Sequence, residues 1–323
     1  MLFITNRALH EDIHTDLGRK VTFDLSNNEA AQSVYFCARS KPGEYREIGR
    51  QAFMDQIKGC KYRQVLFYLH GYSNLPEPDI FPRTEMLQRL CDGKKANEVL
   101  VVPLIWPCDA DLGAVKDYYD DQVAADASAI AYARVFGKFL EWREKNLEDD
   151  KPCLKRVNVL AHSMGNRVLR GALAAVVKYI TPQGPPLVFR STFLVAADIV
   201  NESLEPGKEG TAIPAASRNV VVYFASDDLA LRASKVANVA HSVASRRLGH
   251  SGPEDMNKVP RNVFAVDCDD LNTKYDSPTG HSYFLTDGKK GDKPGRVFDH
   301  IFETMLTGRV PGITNEAVRS TTV

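Results

Sequence analysis

The sequence lacks an excess of charge of either sign. Its 323 residues carry 41 lysines and arginines against 41 aspartates and glutamates, so the formal net charge is zero. Proteins that bind nucleic acid usually carry a basic excess or a clustered basic face. The nearest basic pair, Lys289-Lys290, is flanked by Asp287 and Asp292. We therefore expect a solvated loop there and no nucleic-acid partner.

Paired cysteines and long apolar runs are also missing. The six cysteines stand singly and none forms a Cys-x-x-Cys pair, so neither a zinc ribbon nor a thioredoxin motif is indicated. Scattered thiols are typical of a reducing compartment. The start, Met1–Arg7, lacks the features of a signal peptide, and no run approaches the roughly 20 apolar residues of a membrane span. We expect a cytoplasmic protein with no membrane span.

Short apolar runs alternate with helical patterns along most of the chain. Apolar runs of this kind suit strands that are covered on both faces, as in a parallel sheet, and intervening helices of ten or more residues favour helices on both faces. The predicted strands are Gln64–Leu69, Val99–Ile105, Val157–Leu160, Ser191–Ala196, Val220–Phe224 and Val263–Val266. The predicted helices are Pro82–Cys91, Asp117–Lys145, Val168–Tyr179 and Val297–Leu306.

The remaining segments suggest how the domain is organised. Residues 1–60 are predicted to add a helix and antiparallel edge strands, including Val21–Leu25 and Ser33–Ala38, to a core formed by residues 61–310. Two segments rich in glycine and proline, Asn201–Asn219 and His241–Arg261, are predicted to be loop insertions of the kind that often bind ligands. Residues 311–323 are predicted to form a disordered tail.

A serine lies where an apolar strand meets a helix. The segment Ala161-His162-Ser163-Met164-Gly165 follows the strand Val157–Leu160 and precedes the helical pattern. A small residue two positions before and two after the serine is the pattern of a nucleophile elbow, which projects the hydroxyl from the sheet edge. The alternative is a serine that only caps the next helix. The flanking strand and helix favour the nucleophile.

A second strand ends in His70-Gly71-Tyr72. In enzymes with a nucleophile elbow, such a segment supplies one backbone N–H of the oxyanion hole, and the residue after the nucleophile supplies the other. We assign these donors to Tyr72 and Met164. Gly71 allows the backbone to approach a substrate closely, and His70 is expected to be a core histidine bonded to nearby backbone.

Taken in order, these and later segments resemble a bacterial α/β-hydrolase family of uncharacterised, haloperoxidase-like proteins of the esterase/lipase superfamily. The resemblance covers roughly Leu66 to Leu306. It implies the α/β-hydrolase fold and a triad of serine, acid and histidine, but it implies no substrate. The residues that carry it are His70-Gly71-Tyr72-Ser73-Asn74, Trp106-Pro107, Ala161–Arg167, Ala196-Ala197-Asp198, Ser226–Leu231 and Gly280-His281-Ser282-Tyr283.

The acid of the triad has two candidates. In this fold the order is serine, then acid, then histidine. Asp228 follows the strand Val220–Phe224, and Asp198 follows the preceding strand. The resemblance favours Asp228, because the family places its acid two residues before Ala230-Leu231. Some lipases of the fold take the acid from the preceding strand, which keeps Asp198 open, and either aspartate could simply cap a helix.

His281 is the expected base. It follows the last predicted strand and precedes the last predicted helix, so it lies on a loop at the carboxyl edge, from which a side chain can reach both the serine and the acid. His241 and His250 belong to the second predicted insertion, and His300 lies within a helical pattern.

These residues predict hydrolysis of a small-molecule carboxylic ester through a triad of Ser163, Asp228 and His281. An acyltransferase or a cofactor-free haloperoxidase would use the same triad, and a hydrolase fold can also serve as a binding module without turnover. No clustered ligand set calls for a metal, and no cofactor is expected.

Aromatic side chains near the carboxyl ends of strands, where open α/β sheets bind ligands, are predicted to line the pocket; these are Tyr72, Trp106, Tyr118 and Tyr119. The sequence does not indicate the oligomeric state.

Overall fold

A computed structural model of the chain describes residues 1–11, 18–108, 114–147, 150–232, 246–289, 293–314 and 317–323, together with the backbone but not the side chains of 114–117. His241 and the first residues of the second predicted insertion therefore lie outside the described residues. Lys290 and Asp292, from the predicted charged loop, lie outside them as well.

The described strands form one sheet in the order β11-β10-β9-β8-β7-β5-β6-β1-β3-β4-β2. The run from β11 to β1 is parallel, and β3, β4 and β2 add to it antiparallel. The strands are β1 (Leu2–Arg7), β2 (Lys20–Val21), β3 (Ala30–Lys41), β4 (Glu44–Glu47), β5 (Gln64–Leu69), β6 (Val99–Ile105), β7 (Arg156–His162), β8 (Phe189–Val195), β9 (Ser217–Phe224), β10 (Val263–Asp267) and β11 (Ser320–Thr322).

Helices connect the parallel strands and cover both faces of the sheet. No helix of the described part of the chain is long and apolar enough to cross a membrane. The helices are α1 (Arg50–Gly59), α2 (Phe81–Lys94), α3 (Ala114–Leu147), α4 (Gly165–Tyr179), α5 (Ala212–Ala215), α6 (Leu248–Ser251), α7 (Asn272–Tyr275) and α8 (Arg296–Thr307), and a π-helical turn, Pro76–Ile80, precedes α2.

The central strands are buried on both faces because their residues alternate between two cores. In β5, Val65, Phe67 and Leu69 belong to the core that packs against α1, α3 and α4. Leu66 and Tyr68 belong to the core on the other face, which contains residues of α2 and α8. This explains why the strands are apolar without interruption, as the sequence predicted. The predicted fold, a mostly parallel sheet with helices on both faces and antiparallel strands at one edge, is confirmed.

The carboxyl edge of the sheet positions the candidate site. The strands β5, β6, β7, β8 and β9 are adjacent and parallel, so the loops that follow them meet at one edge. Those loops begin after Leu69, Ile105, His162, Val195 and Phe224. Ligands bind at this edge in open α/β sheets.

The two predicted insertions meet just beyond the end of β8, where the N–H of Asn201 donates to the Arg246 carbonyl (3.0 Å), and the second insertion also contacts the segment that leaves β8. The N–H of Leu248 donates to the Ile199 carbonyl (2.8 Å), and the N–H of Gly249 donates to the Ala197 carbonyl (2.9 Å). A β-carbon at position 249 would lie 2.0 Å from the Ala197 nitrogen, so the approach requires glycine. The first insertion, predicted as a continuous loop over 201–219, contains α5 and the first residues of β9.

The carboxyl-terminal segment differs from the disorder expected for 311–323. Residues 320–322 form β11, which pairs in parallel with β10. The Arg319 side chain is 8% exposed and donates to the carbonyls of Met256, Val259, Pro260 and Val263. The tail is thus held by the Arg319 guanidinium, which donates to several loop carbonyls. A pattern of apolar residues in the sequence could not indicate such an attachment, because it depends on polar contacts with a distant loop.

We expect Arg319→Met to lower the free energy of unfolding by about 2–3 kcal/mol, because hydrogen bonds to a charged donor are worth more than neutral ones and their acceptors would lose it. Urea denaturation measures this. Val318→Ala, at a neighbouring residue that is 58% exposed, is the control and should change stability by less than about 0.5 kcal/mol. If Arg319→Met and Val318→Ala both left the free energy of unfolding unchanged, the proposed role of Arg319 in holding the carboxyl-terminal segment would be contradicted.

Candidate active site

Ser163 occupies a left-handed backbone conformation between β7 and α4. Its φ is 52°, a region that costs a non-glycine residue about 1–2 kcal/mol. The side chain is 3% exposed, and the residue follows directly after His162, the last residue of β7. The helix α4 begins two residues later at Gly165. This is the strand–turn–helix geometry of a nucleophile elbow.

Hydrogen bonds to the Ser163 backbone hold this strained turn. Its N–H donates to the Val195 carbonyl in β8 (3.0 Å). Its carbonyl accepts from the backbone N–H of Asn166 (3.1 Å), from the Asn166 side-chain amide (3.0 Å) and from the Asp198 N–H (3.2 Å). The Asn166 amide also donates to the Ala161 carbonyl (2.9 Å). The elbow is therefore fixed to two strands and to the first turn of α4.

Two glycines allow the loop after β5 to lie against the elbow. A β-carbon at Gly165 would lie 2.5 Å from the His70 carbonyl oxygen and 2.7 Å from that of Leu69. A β-carbon at Gly71 would lie 3.0 Å from Cβ and 3.5 Å from Oγ of Ser163. Any side chain at position 71 would thus occupy the space directly beside the serine.

His70 is fully buried and holds the Gly71 carbonyl. Its Nδ1–H donates to that carbonyl (2.8 Å), and its Nε2 accepts the backbone N–H of Trp106 (3.2 Å). Burial lowers the pKa of His70 to about 3, so the ring stays neutral with this assignment of donor and acceptor. The Gly71 carbonyl and the Tyr72 N–H belong to the same peptide group. Because a trans peptide places its C=O and N–H on opposite sides, the N–H of Tyr72 is directed away from His70.

Arg83 on α2 supports the same loop. Its guanidinium donates to Oδ1 of Asn74 (2.7 Å), and the Asn74 amide donates to the carbonyls of Gly71 (3.3 Å) and Tyr72 (2.5 Å). The pKa of Arg83 is raised, chiefly by Tyr68, and further by Asp79 and Asp276. The arginine therefore lies between the loop after β5 and the segment that carries His281.

His281 and Asp228 form a buried pair. The Nδ1–H of His281 donates to Oδ2 of Asp228 at 2.7 Å. Asp228 is fully buried, and its Oδ1 accepts the Leu231 N–H (3.0 Å), so the carboxylate both caps a turn and binds the histidine. His281 is 9% exposed. Its Nε2 is buried and has no hydrogen-bond partner among the described residues.

The backbone of His281 is held from two sides. The carboxylate of Asp276 accepts the N–H groups of His281 (2.8 Å) and Ser282 (2.7 Å). On the other side, the Nε2–H of His162 donates to the His281 carbonyl (3.1 Å), and the two imidazole rings lie 4.8 Å apart. Because His162 directly precedes Ser163, this contact brings His281 to the elbow.

Asp198 has other partners. Its Oδ2 accepts the Tyr118 hydroxyl (2.8 Å), and its Oδ1 forms an ion pair with Nε of Arg247 (3.1 Å). Asp198 and Arg247 are both 4% exposed. The contact joins the end of β8, the start of α3 and the second insertion. Of the two candidate acids, Asp228 is the one in contact with His281.

Three of the four predicted pocket aromatics lie together. Tyr118 packs edge to face against Tyr72 (5.7 Å between ring centroids) and Tyr119 (5.8 Å). Trp106 is elsewhere: it is fully buried, stacked 5.0 Å from the His70 ring, with its indole N–H donating to the His70 carbonyl (3.0 Å). Trp106 therefore supports the loop after β5 from within the core and does not line a pocket.

The other predicted residues are readily placed. Met164 precedes the first residue of α4, where a helix leaves N–H groups without internal partners. His300 is buried against the Tyr223 hydroxyl (2.8 Å) and the Pro311 carbonyl (3.2 Å). Among the described residues no group of three or more histidine, cysteine, aspartate or glutamate side chains could hold a metal ion.

Sequence reasoning missed the supporting residues Arg83, Asn74, Asn166 and Asp276. Asn74 and Asn166 stand inside the quoted motifs but received no role, because an amide near a turn is common. Arg83 and Asp276 carry no local pattern, since their partners come from distant segments. The spacing of five residues between Asp276 and His281 is the one signal that could have indicated a loop closed by a carboxylate.

Comparison with known proteins gives one family. The model of the family described as "Alpha/beta hydrolase of unknown function (DUF900)" matches residues 46–289, well over half of the 323-residue chain. No curated protein matches the sequence.

Among solved structures, the chain is similar to carboxyl esterase 2 (TmelEST2) from the mycorrhizal fungus Tuber melanosporum. The identity is 11%, and the alignment covers 98% of this chain and 78% of the esterase, with a TM-score of 0.28. A likeness at this TM-score is no evidence about substrate or mechanism.

The buried histidines predict acid sensitivity. Burial lowers the pKa of His70 to about 3, that of His162 well below 6.5, and that of His300 as well. An unfolded histidine titrates near 6.5. Below that pH the unfolded chain binds protons that the folded chain does not, so stability present above pH 6.5 is lost on acidification.

We therefore expect the free energy of unfolding to fall between pH 6.5 and 5, by up to about 1.4 kcal/mol per pH unit for each of His70 and His162 and by less for His300. Urea denaturation at a series of pH values measures the slope. His300→Gln, which retains hydrogen-bonding capacity, should make the slope shallower, because the depressed pKa of His300 contributes to it. A stability that stays constant from pH 7 to 5 would contradict the neutral histidines.

Proposed function

The chain belongs to this α/β-hydrolase family, and on that premise we propose that it is a serine hydrolase that cleaves carboxylic esters. Ser163 is the nucleophile, His281 the general base and Asp228 the acid that orients His281. The ester is a small molecule, and no cofactor takes part.

One observation carries the proposal. His281 donates from Nδ1 to Asp228 at 2.7 Å, while its buried Nε2 has no partner among the described residues. The imidazole is thereby held in the tautomer that leaves Nε2 free to accept a proton. The contact of His281 with His162 supports Ser163 as the donor of that proton, because Ser163 is the next residue in the chain.

The proposed reaction proceeds through an acyl-enzyme. The Ser163 oxygen attacks the ester carbonyl while His281 takes the hydroxyl proton, and the imidazolium then protonates the departing alcohol. A water molecule, activated by the same histidine, releases the acid. The Asp228 carboxylate stabilises the imidazolium and keeps its charge throughout.

The N–H groups of Tyr72 and Met164 are the proposed oxyanion donors. The His70 side chain and the Asn74 amide hold the Gly71 carbonyl, which directs the Tyr72 N–H away from them. Met164 lies at the start of α4, where the helix dipole favours negative charge. Removal of one such donor typically costs about 3–4 kcal/mol of transition-state stabilisation.

The proposed acyl or alcohol group packs against Tyr72, Tyr118 and Tyr119. An acyltransferase or a cofactor-free haloperoxidase would use the same serine, acid and histidine. An added alcohol that accepts the acyl group in competition with water would reveal transfer. A module that only binds its ligand would show neither reaction.

A fluorophosphonate probe should label the protein at one site, because the probe reacts with a serine whose hydroxyl a neighbouring base activates. We expect Ser163→Ala to abolish both labelling and hydrolysis of nitrophenyl esters while the thermal unfolding midpoint stays close to that of the unaltered protein. Peptide mapping identifies the labelled residue. Ser282→Ala, at a serine beside His281, is the matched control and should retain labelling. Unchanged labelling of Ser163→Ala would remove Ser163 from the mechanism.

Substitution of Asp228 should mainly affect activity, whereas substitution of Asp198 should mainly affect stability. Asp228→Asn should lower kcat by about 10⁴-fold, because an amide favours the wrong histidine tautomer. Asp198→Asn should lower kcat far less. It should instead reduce stability by about 3–5 kcal/mol, since it leaves the Arg247 cation buried without its partner. Steady-state kinetics and denaturation of both variants test this, and the reverse order of kcat losses would assign the acid to Asp198.

A further inference from the structure

The amino edge of the sheet, opposite the candidate active site, carries an arginine at the start of each of five adjacent strands. Arg63 precedes β5, Arg156 opens β7, Arg190 and Arg218 are second in β8 and β9, and Arg261 lies two residues before β10. These strands are neighbours in the order β10-β9-β8-β7-β5. With about 4.8 Å between strands, this arginine row is about 19 Å long.

Acidic partners for the arginine row are missing from the part of the chain that the structure describes. None of its members forms an ion pair or a side-chain hydrogen bond with a described residue. Glu98, which acts electrostatically on Arg190, is 2% exposed and already pairs with Lys95 at 2.9 Å. Burial lowers the pKa of Arg190, and so does its proximity to Arg156 and Arg218. Such mutual repulsion is relieved when an anion binds.

A cationic groove lies at one end of the arginine row, between the end of α1 and the approach to β7. It encloses about 600 Å³, and its lining contains five cations and no acid among the described residues. The cations are Lys58, Arg63, Lys151, Lys155 and Arg156. The lining also includes exposed apolar surface, that of Leu154.

Exposed apolar side chains concentrate at the same edge. Ten large hydrophobic residues of the described chain are exposed, and five of them lie on the segments that lead into β7 and β8. These are Leu147, Leu154, Tyr179, Ile180 and Leu187, of which Leu154 is 77% and Leu187 66% exposed. The helices α3 and α4 pack side by side and lead into β7 and β8, so these five residues lie on the segments that approach the arginine row, and Leu154 shares the groove with Arg63 and Arg156.

We propose that this amino edge is a docking face for the surface of an anionic phospholipid membrane. The arginines match the phosphate groups of the lipids, to which guanidinium binds through two parallel hydrogen bonds. The exposed leucines match the boundary between headgroups and acyl chains, where apolar side chains of peripheral proteins insert. A nucleic acid would satisfy the arginines but would leave the leucines exposed to water.

Docking in this way would orient the enzyme. The strands between the two edges are five to eight residues long, so the candidate active site lies roughly 20 Å from the docking face at about 3.3 Å per residue. The mouth of the site would face away from the membrane. The protein would therefore take its substrate from the aqueous phase and not from the membrane on which it rests.

Sedimentation with lipid vesicles tests the proposal. The intact protein should bind vesicles of phosphatidylcholine with 30% phosphatidylserine, but not vesicles of phosphatidylcholine alone, and binding should weaken as salt rises from 0.05 to 0.5 M. The triple variant Arg156→Gln, Arg190→Gln, Arg218→Gln should lower the partition coefficient about 100-fold, because each cation near an anionic surface contributes about five-fold.

The control variant changes the same net charge elsewhere. Arg46→Gln, Arg134→Gln and Arg296→Gln remove three arginines that lie outside the arginine row, and this variant should bind as the intact protein does. Leu154→Ser with Leu187→Ser should weaken binding about ten-fold or more and leave its salt dependence unchanged.

Three results would overturn the proposal: no binding to anionic vesicles at low salt, equal binding of the triple variant and the control, or displacement of the protein from vesicles by duplex DNA at an equal concentration of phosphate. Hydrolysis of a soluble ester should be the same for all these variants. Loss of vesicle binding therefore does not bear on the proposed function, and loss of esterase activity does not bear on the docking face.

Discussion

The carbonyl oxygen of Ser163 accepts two hydrogen bonds from Asn166 and one from the Asp198 N–H, and these bonds hold the serine in a left-handed conformation. That conformation turns the chain sharply from β7 into α4. It also places Gly165 within contact of the His70 carbonyl, where no side chain would fit. The position of the loop after β5 and the direction of α4 both depend on this one turn.

Three histidines meet around the turn, and their surroundings give each a different role. His70 and His162 are buried without an acidic partner, so burial depresses their pKa values and keeps them neutral. Each donates one hydrogen bond to a backbone carbonyl and thereby fixes a loop. His281 is the histidine that contacts a carboxylate, that of Asp228. The general principle is that neighbours, and not the residue type, decide which imidazole can act as a base.

The two edges of the sheet differ in chemistry because a parallel sheet gathers all strand ends of one kind together. The carboxyl edge collects the loops that carry Ser163, Asp228 and His281. The amino edge collects the residues that precede the strands, which here include the arginine row. A formal net charge of zero is thus compatible with a row of five arginines along one edge of the sheet.

The sequence by itself determined the parallel sheet and predicted a nucleophile elbow at Ser163, because uninterrupted apolar runs and a small-x-Ser-x-Gly turn are local patterns. The resemblance to a hydrolase family added Asp228 and His281 as candidates. The sequence left Asp198 open, placed Trp106 in the pocket and predicted a disordered tail. Only the tertiary structure showed that Asp228 contacts His281 while Asp198 has other partners, that Trp106 lies in the core and that residues 320–322 pair with β10. It also revealed the arginine row, since all four depend on which distant segments meet. Asp198 lies against Arg247 and Tyr118, and successive arginines of the row stand 28 or more residues apart in the chain, so no local window contains the interactions that define them.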